Sequence, residues 1–137
     1  MDGDKADGDG CLRKDFPGGW LDDKNDCFKA DGRSQLQNEA YDFTRKLLQW
    51  RKNNEAVGKG TLKHFSIAHG TYVYERAYNS MSTVVIMNGT DEKQELDLTP
   101  YKEILPQTNA TDFLSGRTVS LKEKLALGKR EILIFNF

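Results

Sequence analysis

A chain of 137 residues with 37% apolar and 30% charged side chains suits one soluble globular domain rather than a disordered segment. Twenty basic against 21 acidic residues leave a net charge of −1, and no basic stripe is present, so no nucleic-acid partner is expected. No run approaches a membrane span, and the start, Met1-Asp2-Gly3-Asp4, lacks the apolar core of a signal peptide, so no membrane partner is expected.

The cysteines, Cys11 and Cys27, are too few for a disulfide framework and are expected to be free thiols. Neither a CxxC pair nor an acidic or thiol partner near His64 and His69 supports a metal site. No metal and no organic cofactor are expected.

Residues 1–33 are rich in Asp and Gly, with Phe16, Trp20 and Phe28 set among them without periodic companions. Such a segment reads as a long loop whose aromatics cover something else, and which is mobile without it. Read as a calcium loop from Asp2, the segment fails. Position 5 is Ala6, position 6 is Asp7 and position 12 is Arg13, where calcium coordination needs acid, glycine and glutamate.

Ser34 opens a helix, with Ser34-Gln35-Leu36-Gln37 as a capping box. Leu36, Ala40, Phe43, Leu47 and Trp50 recur in steps of four and three, forming one apolar stripe. Arg45, Lys46, Arg51 and Lys52 lie off that stripe, the later two near the negative end of the helix dipole. The helix is expected to end near Asn53 or Asn54. Beyond Gly58 and Gly60 the rhythm changes to short β-branched and aromatic runs at 61–67, 71–78, 82–87, 94–98, 117–121 and 130–137, parted by turn signals. Their spacing predicts an antiparallel sandwich, with 131–137, apolar on both faces, as an inner strand.

The string Arg13-Lys14-Asp15-Phe16-Pro17-Gly18-Gly19-Trp20, with Asp23, Asn25 and Phe28 beyond it, resembles glycoside hydrolase family 13, the α-amylase superfamily. The nearest group is the neopullulanases and cyclomaltodextrinases. Asn38-Glu39-Ala40, Leu47-Leu48 and Trp50-Arg51-Lys52 resemble the last helix of that family's (β/α)8 barrel. The remainder, including Val84-Val85-Ile86-Met87-Asn88, resembles its C-terminal β-sandwich, domain C. The resemblance implies three parts: 1–33, a loop after the last barrel strand; 34–55, the last barrel helix; and 56–137, a mainly β, Greek-key sandwich.

The same resemblance implies that the catalytic aspartate and glutamate lie upstream, so this chain alone is expected to be inactive, with no catalytic residue of its own. The parent would be a retaining enzyme of the bacterial cytoplasm or periplasm, acting on α-glucan or cyclodextrin. The partner of this chain would be the parent's catalytic barrel. Arg13, Asp15 and Trp20 would border the substrate, although an Arg13–Asp15 brace and a core role for Trp20 fit their residue types better. Tyr72, Tyr74 and Tyr78 alternate along one strand and face one side, as a sugar platform, a core row or a barrel-facing surface. Stripped of a barrel, the helix should dock through Trp50, leaving Leu36 and Phe43 exposed to promote self-association. A carbohydrate-binding module and a stand-alone interaction domain are the alternatives.

Overall fold

The computed structural model describes residues 15–137, which leaves Cys11 and Arg13 outside the described residues. The described residues form two compact units, one ending at Gln49 and the other Trp50–Phe137. Helix α1 spans Gln35–Asn53. Its capping box forms in both directions: the Gln37 N–H donates to Ser34 Oγ at 3.3 Å, and the Ser34 N–H donates to Gln37 Oε1 at 2.8 Å. Two donors that the first turn leaves free are thereby satisfied. No residue of the helix is buried, and Leu36 and Phe43 on its apolar stripe are 75% and 55% exposed.

In the second unit, Asn54 leaves helical geometry and caps a further short helix, α2 (Glu55–Lys59), its Oδ1 accepting from the Val57 N–H at 3.0 Å. Eight strands follow: β1 (Thr61–His64), β2 (Thr71–Tyr78), β3 (Met81–Asn88), β4 (Gln94–Asp97), β5 (Asn109–Thr111), β6 (Thr118–Ser120), β7 (Lys124–Leu127) and β8 (Ile132–Asn136). A four-stranded antiparallel sheet runs β1-β2-β3-β8, and two-stranded ribbons form from β4 with β7 and from β5 with β6. The pairings nest, β5–β6 inside β4–β7 inside β3–β8, so β8 returns over a long connection to lie beside β3.

Register decides which side chains meet. Val73 stands opposite Ile86, Ile86 opposite Leu133, and Val84 opposite Phe135. These turn one face of the large sheet into the core, together with Leu98, Leu121, Leu125 and Leu127 from the second layer. The opposite face is also apolar at its centre, where Val85 and Ile134 pair and are both buried. Gly60 lets α2 come close to this sheet. A Cβ there would lie 2.3 Å from the Ala56 carbonyl oxygen and 2.6 Å from that of Ala77.

The expected inner strand is corrected in one respect. β8 is buried on both faces but ends the hydrogen-bonded order of its sheet. Its outer edge is sealed by the segment after β5: the Phe113 N–H donates to the Ile134 carbonyl at 2.8 Å, and Asp112 Oδ1 accepts from the Ile134 N–H at 2.9 Å. A side chain thus stands in for a missing strand. The other oxygen, Oδ2, accepts from the Ser115 N–H at 2.8 Å and from its hydroxyl at 2.6 Å. Other expectations shift by length. The strand expected over 61–67 stops at His64, and β5, β7 and α2 were not expected. Asn88, in the sequon-like Asn88-Gly89-Thr90, is buried with its amide nitrogen committed to the Glu92 and Gly128 carbonyls at 2.7 and 2.8 Å.

Burial pushes the Asp112 carboxyl up, but the hydrogen bonds from Ser115 and the Ile134 N–H outweigh it and hold the group below the usual aspartate range. A lowered folded pKa adds stability above the unfolded value of about 3.9, and that stability is lost as pH falls through the folded value. Asp112→Asn should therefore cost about 2 kcal/mol at pH 7. Urea midpoints across a pH series should show that gap closing below about pH 3.9, as the wild-type carboxyl itself protonates.

Candidate functional site

The outer face of the large sheet, opposite the core, gathers the side chains that could meet a partner. Leu62 and His64 on β1 stand opposite Arg76 and Tyr74 on β2, and Tyr74 and Tyr72 in turn oppose Val85 and Met87 on β3. Met87 pairs with Ile132 of β8. Tyr72 and Tyr74 have ring centroids 5.5 Å apart, and His64 meets Tyr72 edge-on at 6.2 Å. Burial raises the Tyr74 phenol above its ordinary range. The tyrosine row is broken by Arg76, beyond which Tyr78 lies 5.7 Å from the Lys59 ammonium. The three tyrosines therefore share a face without forming one continuous platform.

Three hollows mark this face. One, of about 410 Å³, is lined by Arg51, Val57, Gly58, Leu62, Tyr72, Tyr74 and Arg76. Another, of about 420 Å³, lies around Ile67, Tyr72, Met87 and Ile132. A third, of about 260 Å³, has Trp50 as a wall and Asn54, Thr83 and Asn136 on its floor. These three bond one another: Asn54 Nδ2 donates to Thr83 Oγ1 at 2.9 Å and to Asn136 Oδ1 at 3.0 Å, and the Thr83 hydroxyl donates to Asn136 Oδ1 at 2.9 Å. Trp50 stacks on Phe113 with centroids 4.8 Å apart.

In the first unit, the loop of residues 15–33 is organised by its acids. Asp23 Oδ2 accepts from the Gly18 and Trp20 N–H groups at 2.8 and 3.2 Å, and the Cys27 N–H donates to the Pro17 carbonyl at 2.9 Å. A salt bridge from Lys29 holds the Asp26 carboxyl below its usual range. Gly18 has φ +118°, and a Cβ there would lie 2.7 Å from Asp26 Oδ1, which is why glycine follows Pro17. Arg33 ties loop to helix. It donates to the Cys27 carbonyl at 2.9 Å and to Asn38 Oδ1 at 2.8 Å, and its guanidinium lies 4.0 Å from the Tyr41 ring centre. Phe16, Cys27, Phe28, Arg33 and Tyr41 line an open apolar hollow of about 630 Å³.

Of the site residues expected from sequence, Arg13 lies outside the described residues and Asp15 is exposed. Trp20 is 76% exposed, so the core role expected for it is not seen. Sequence reasoning passed over Arg33, Asp23 and Arg76. Asp23 was quoted only as part of a string, and an arginine in mid-strand carries no local pattern. Among the described residues no group of three or more His, Cys, Asp or Glu side chains could hold a metal, and no helix is long and apolar enough to cross a membrane.

A profile of the Cyclo-malto-dextrinase C-terminal domain matches residues 62–136, which is β1 through β8. The chain belongs to that family. It is thus a C-terminal domain of the α-amylase-family kind, a β-sandwich. A cyclomaltodextrin glucanotransferase from Bacillus sp. (strain 1-1) is 31% identical over 78 residues, covering 57% of this chain and 11% of that protein. An Anoxybacillus α-amylase structure is 21% identical, covers 87% of this chain and 26% of that one, and gives a TM-score of 0.62. AmyP solved with maltose is 14% identical over 75% of this chain and 21% of that one, with a TM-score of 0.64. The two structures share the fold of this chain. The chain spans only about a tenth of the glucanotransferase and a fifth to a quarter of the solved α-amylases.

The Arg33 network generates one expectation. Arg33→Ala should leave the melting of the sandwich unchanged while amide protection across Gly18 to Phe28 falls by an order of magnitude, read by hydrogen exchange.

Proposed function

We propose that the chain is the non-catalytic C-terminal portion of an α-glucan-hydrolysing enzyme of the cyclomaltodextrinase or neopullulanase type, packing against its catalytic (β/α)8 barrel and stabilising it. The observation that carries this reading is the outer face of the β1-β2-β3-β8 sheet. A sheet face bearing Tyr72, Tyr74, Met87 and Ile132 around the in-strand Arg76 is built to be covered. Ile132 is 43% exposed and Leu62 53%, so covering them would remove apolar surface from water. The match to a C-terminal domain that occurs in much longer proteins supports the same reading.

Under this reading the loop of 15–33 belongs at the mouth of the barrel, and Arg13, Asp15 and Trp20 face substrate. The bare indole of Trp20 suits stacking on a pyranose ring. The parent retains anomeric configuration with two upstream carboxylates. Without the barrel, the exposed Leu36 and Phe43 bring copies of the chain together.

Two measurements test this. The purified chain should hydrolyse neither cyclodextrin, pullulan nor starch. Turnover that scales with protein and vanishes in Asp15→Asn would sink the non-catalytic assignment. Sedimentation should show self-association that Phe43→Glu abolishes without changing the melt of the sandwich, whereas Trp50→Ala should cost about 2 kcal/mol, less than full burial would give. A strict monomer at high concentration would refute the sticky stripe.

A further inference from the structure

The outer face is not uniformly apolar, and its polar exception indicates what must sit opposite it. The hollow of about 410 Å³ is lined by two arginines, Arg51 and Arg76, beside Val57, Leu62, Tyr72 and Tyr74. Among the described residues no acidic side chain lines it. The neighbouring acids are turned elsewhere: Glu55 pairs with Lys59 at 2.6 Å, and Glu75 shares the other face of β2 with Val73.

Arg76 is poorly satisfied where it stands. Its Nη2 donates to the Val57 carbonyl at a long 3.3 Å. Its Nε is buried, and among the described residues it is the single buried side-chain nitrogen or oxygen with no hydrogen-bond partner. Native structures seldom leave such a group unpaired. A weak bond to Val57 also lets the guanidinium turn toward the hollow at little cost.

We propose that this hollow is a carboxylate receptor: an aspartate or glutamate side chain projecting from the docked barrel surface enters it, taking the Nε and Nη2 edge of Arg76 with Arg51 alongside. The inference rests on the docking reading above and gives it a chemical identity. Two arginines line the hollow with no acidic side chain among its lining residues, and neutral sugar hydroxyls would not balance their charge. A planar carboxylate does, and it matches the two-pronged guanidinium edge. The hollow shares Tyr72 with the apolar one around Met87 and Ile132, so an anion bound there is shielded from water only when a protein surface covers both.

The test titrates the 137-residue chain by calorimetry with a cyclomaltodextrinase-type barrel expressed without its own C-terminal domain. In parallel, glutarate and maltotriose are added while the Arg76 Nε–H signal is followed by NMR. The barrel should bind, and Arg76→Met and Arg51→Met should each weaken binding at least about tenfold. Arg51 is exposed on α1, so its variant tests the site even if Arg76→Met perturbs the sheet. Glutarate should shift the Arg76 signal saturably and maltotriose should leave it in place. If the wild-type chain fails to bind the barrel, the docking reading falls and takes this inference with it. If both methionine variants bind as wild type does, docking stands and the carboxylate receptor is refuted. Saturation by maltotriose and not by glutarate would overturn it in favour of a sugar subsite.

Discussion

Strands β3 and β8 have apolar side chains on both faces, and each face has to be removed from water. Val84, Ile86, Leu133 and Phe135 point one way, Val85 and Ile134 the other, and all six are buried. The first set is covered by the second layer of the sandwich, through Leu98, Leu121, Leu125 and Leu127. The second set needs cover from elsewhere in the chain. Helix α2, placed by the Asn54 cap and the close approach at Gly60, and the Trp50–Phe113 stack meet that requirement at the centre. Toward β1 and the Tyr72 end the same face runs on without cover of its own. The sheet's two-sidedness thus accounts both for α2 and for the surface left over.

The parts of this arrangement that were legible in the sequence are those with a repeating signal. The capping box at Ser34 and Gln37 and the stripe through Trp50 sit on a long periodic helix, and both took the geometry their spacing implied. Strand β2 has the bounds its pattern gave, because Thr71 to Tyr74 is β-branched and aromatic and Tyr78 closes the run. What was not legible lacked periodicity. β5 is Asn-Ala-Thr, three residues whose strand character comes wholly from pairing with β6. β7 alternates, with Leu125 and Leu127 inward, but over only four residues. Neither could be separated from loop on local grounds.

The candidate surface was less legible than the fold. Alternation correctly placed Tyr72, Tyr74 and Tyr78 on one face, but pairing with β1 and β3 decided what surrounds them. Arg76 acquires its meaning from burial beside Val57, nineteen residues away in sequence. The loop showed the same limit. Its aromatics were noticed, while the residues that organise it, Asp23 and Arg33, act through backbone groups that no side-chain pattern reports. Trp20 is exposed at a turn whose backbone N–H groups Asp23 caps.

The nesting of the strand pairs bears on how the domain assembles. The entropic cost of closing a loop rises with its length, so the innermost pair, β5 with β6, closes most cheaply and each outer pair closes over a shorter effective gap. Assembly can then run outward like a zip: β4 finds β7 once β5 and β6 hold their ends together, and β3 finds β8 last. Since β8 supplies Leu133 and Phe135 to the core, the step that completes the zip is also the one that expels water from the middle of the domain. Such an order gives a β-rich chain many long-range contacts without a long search for any of them.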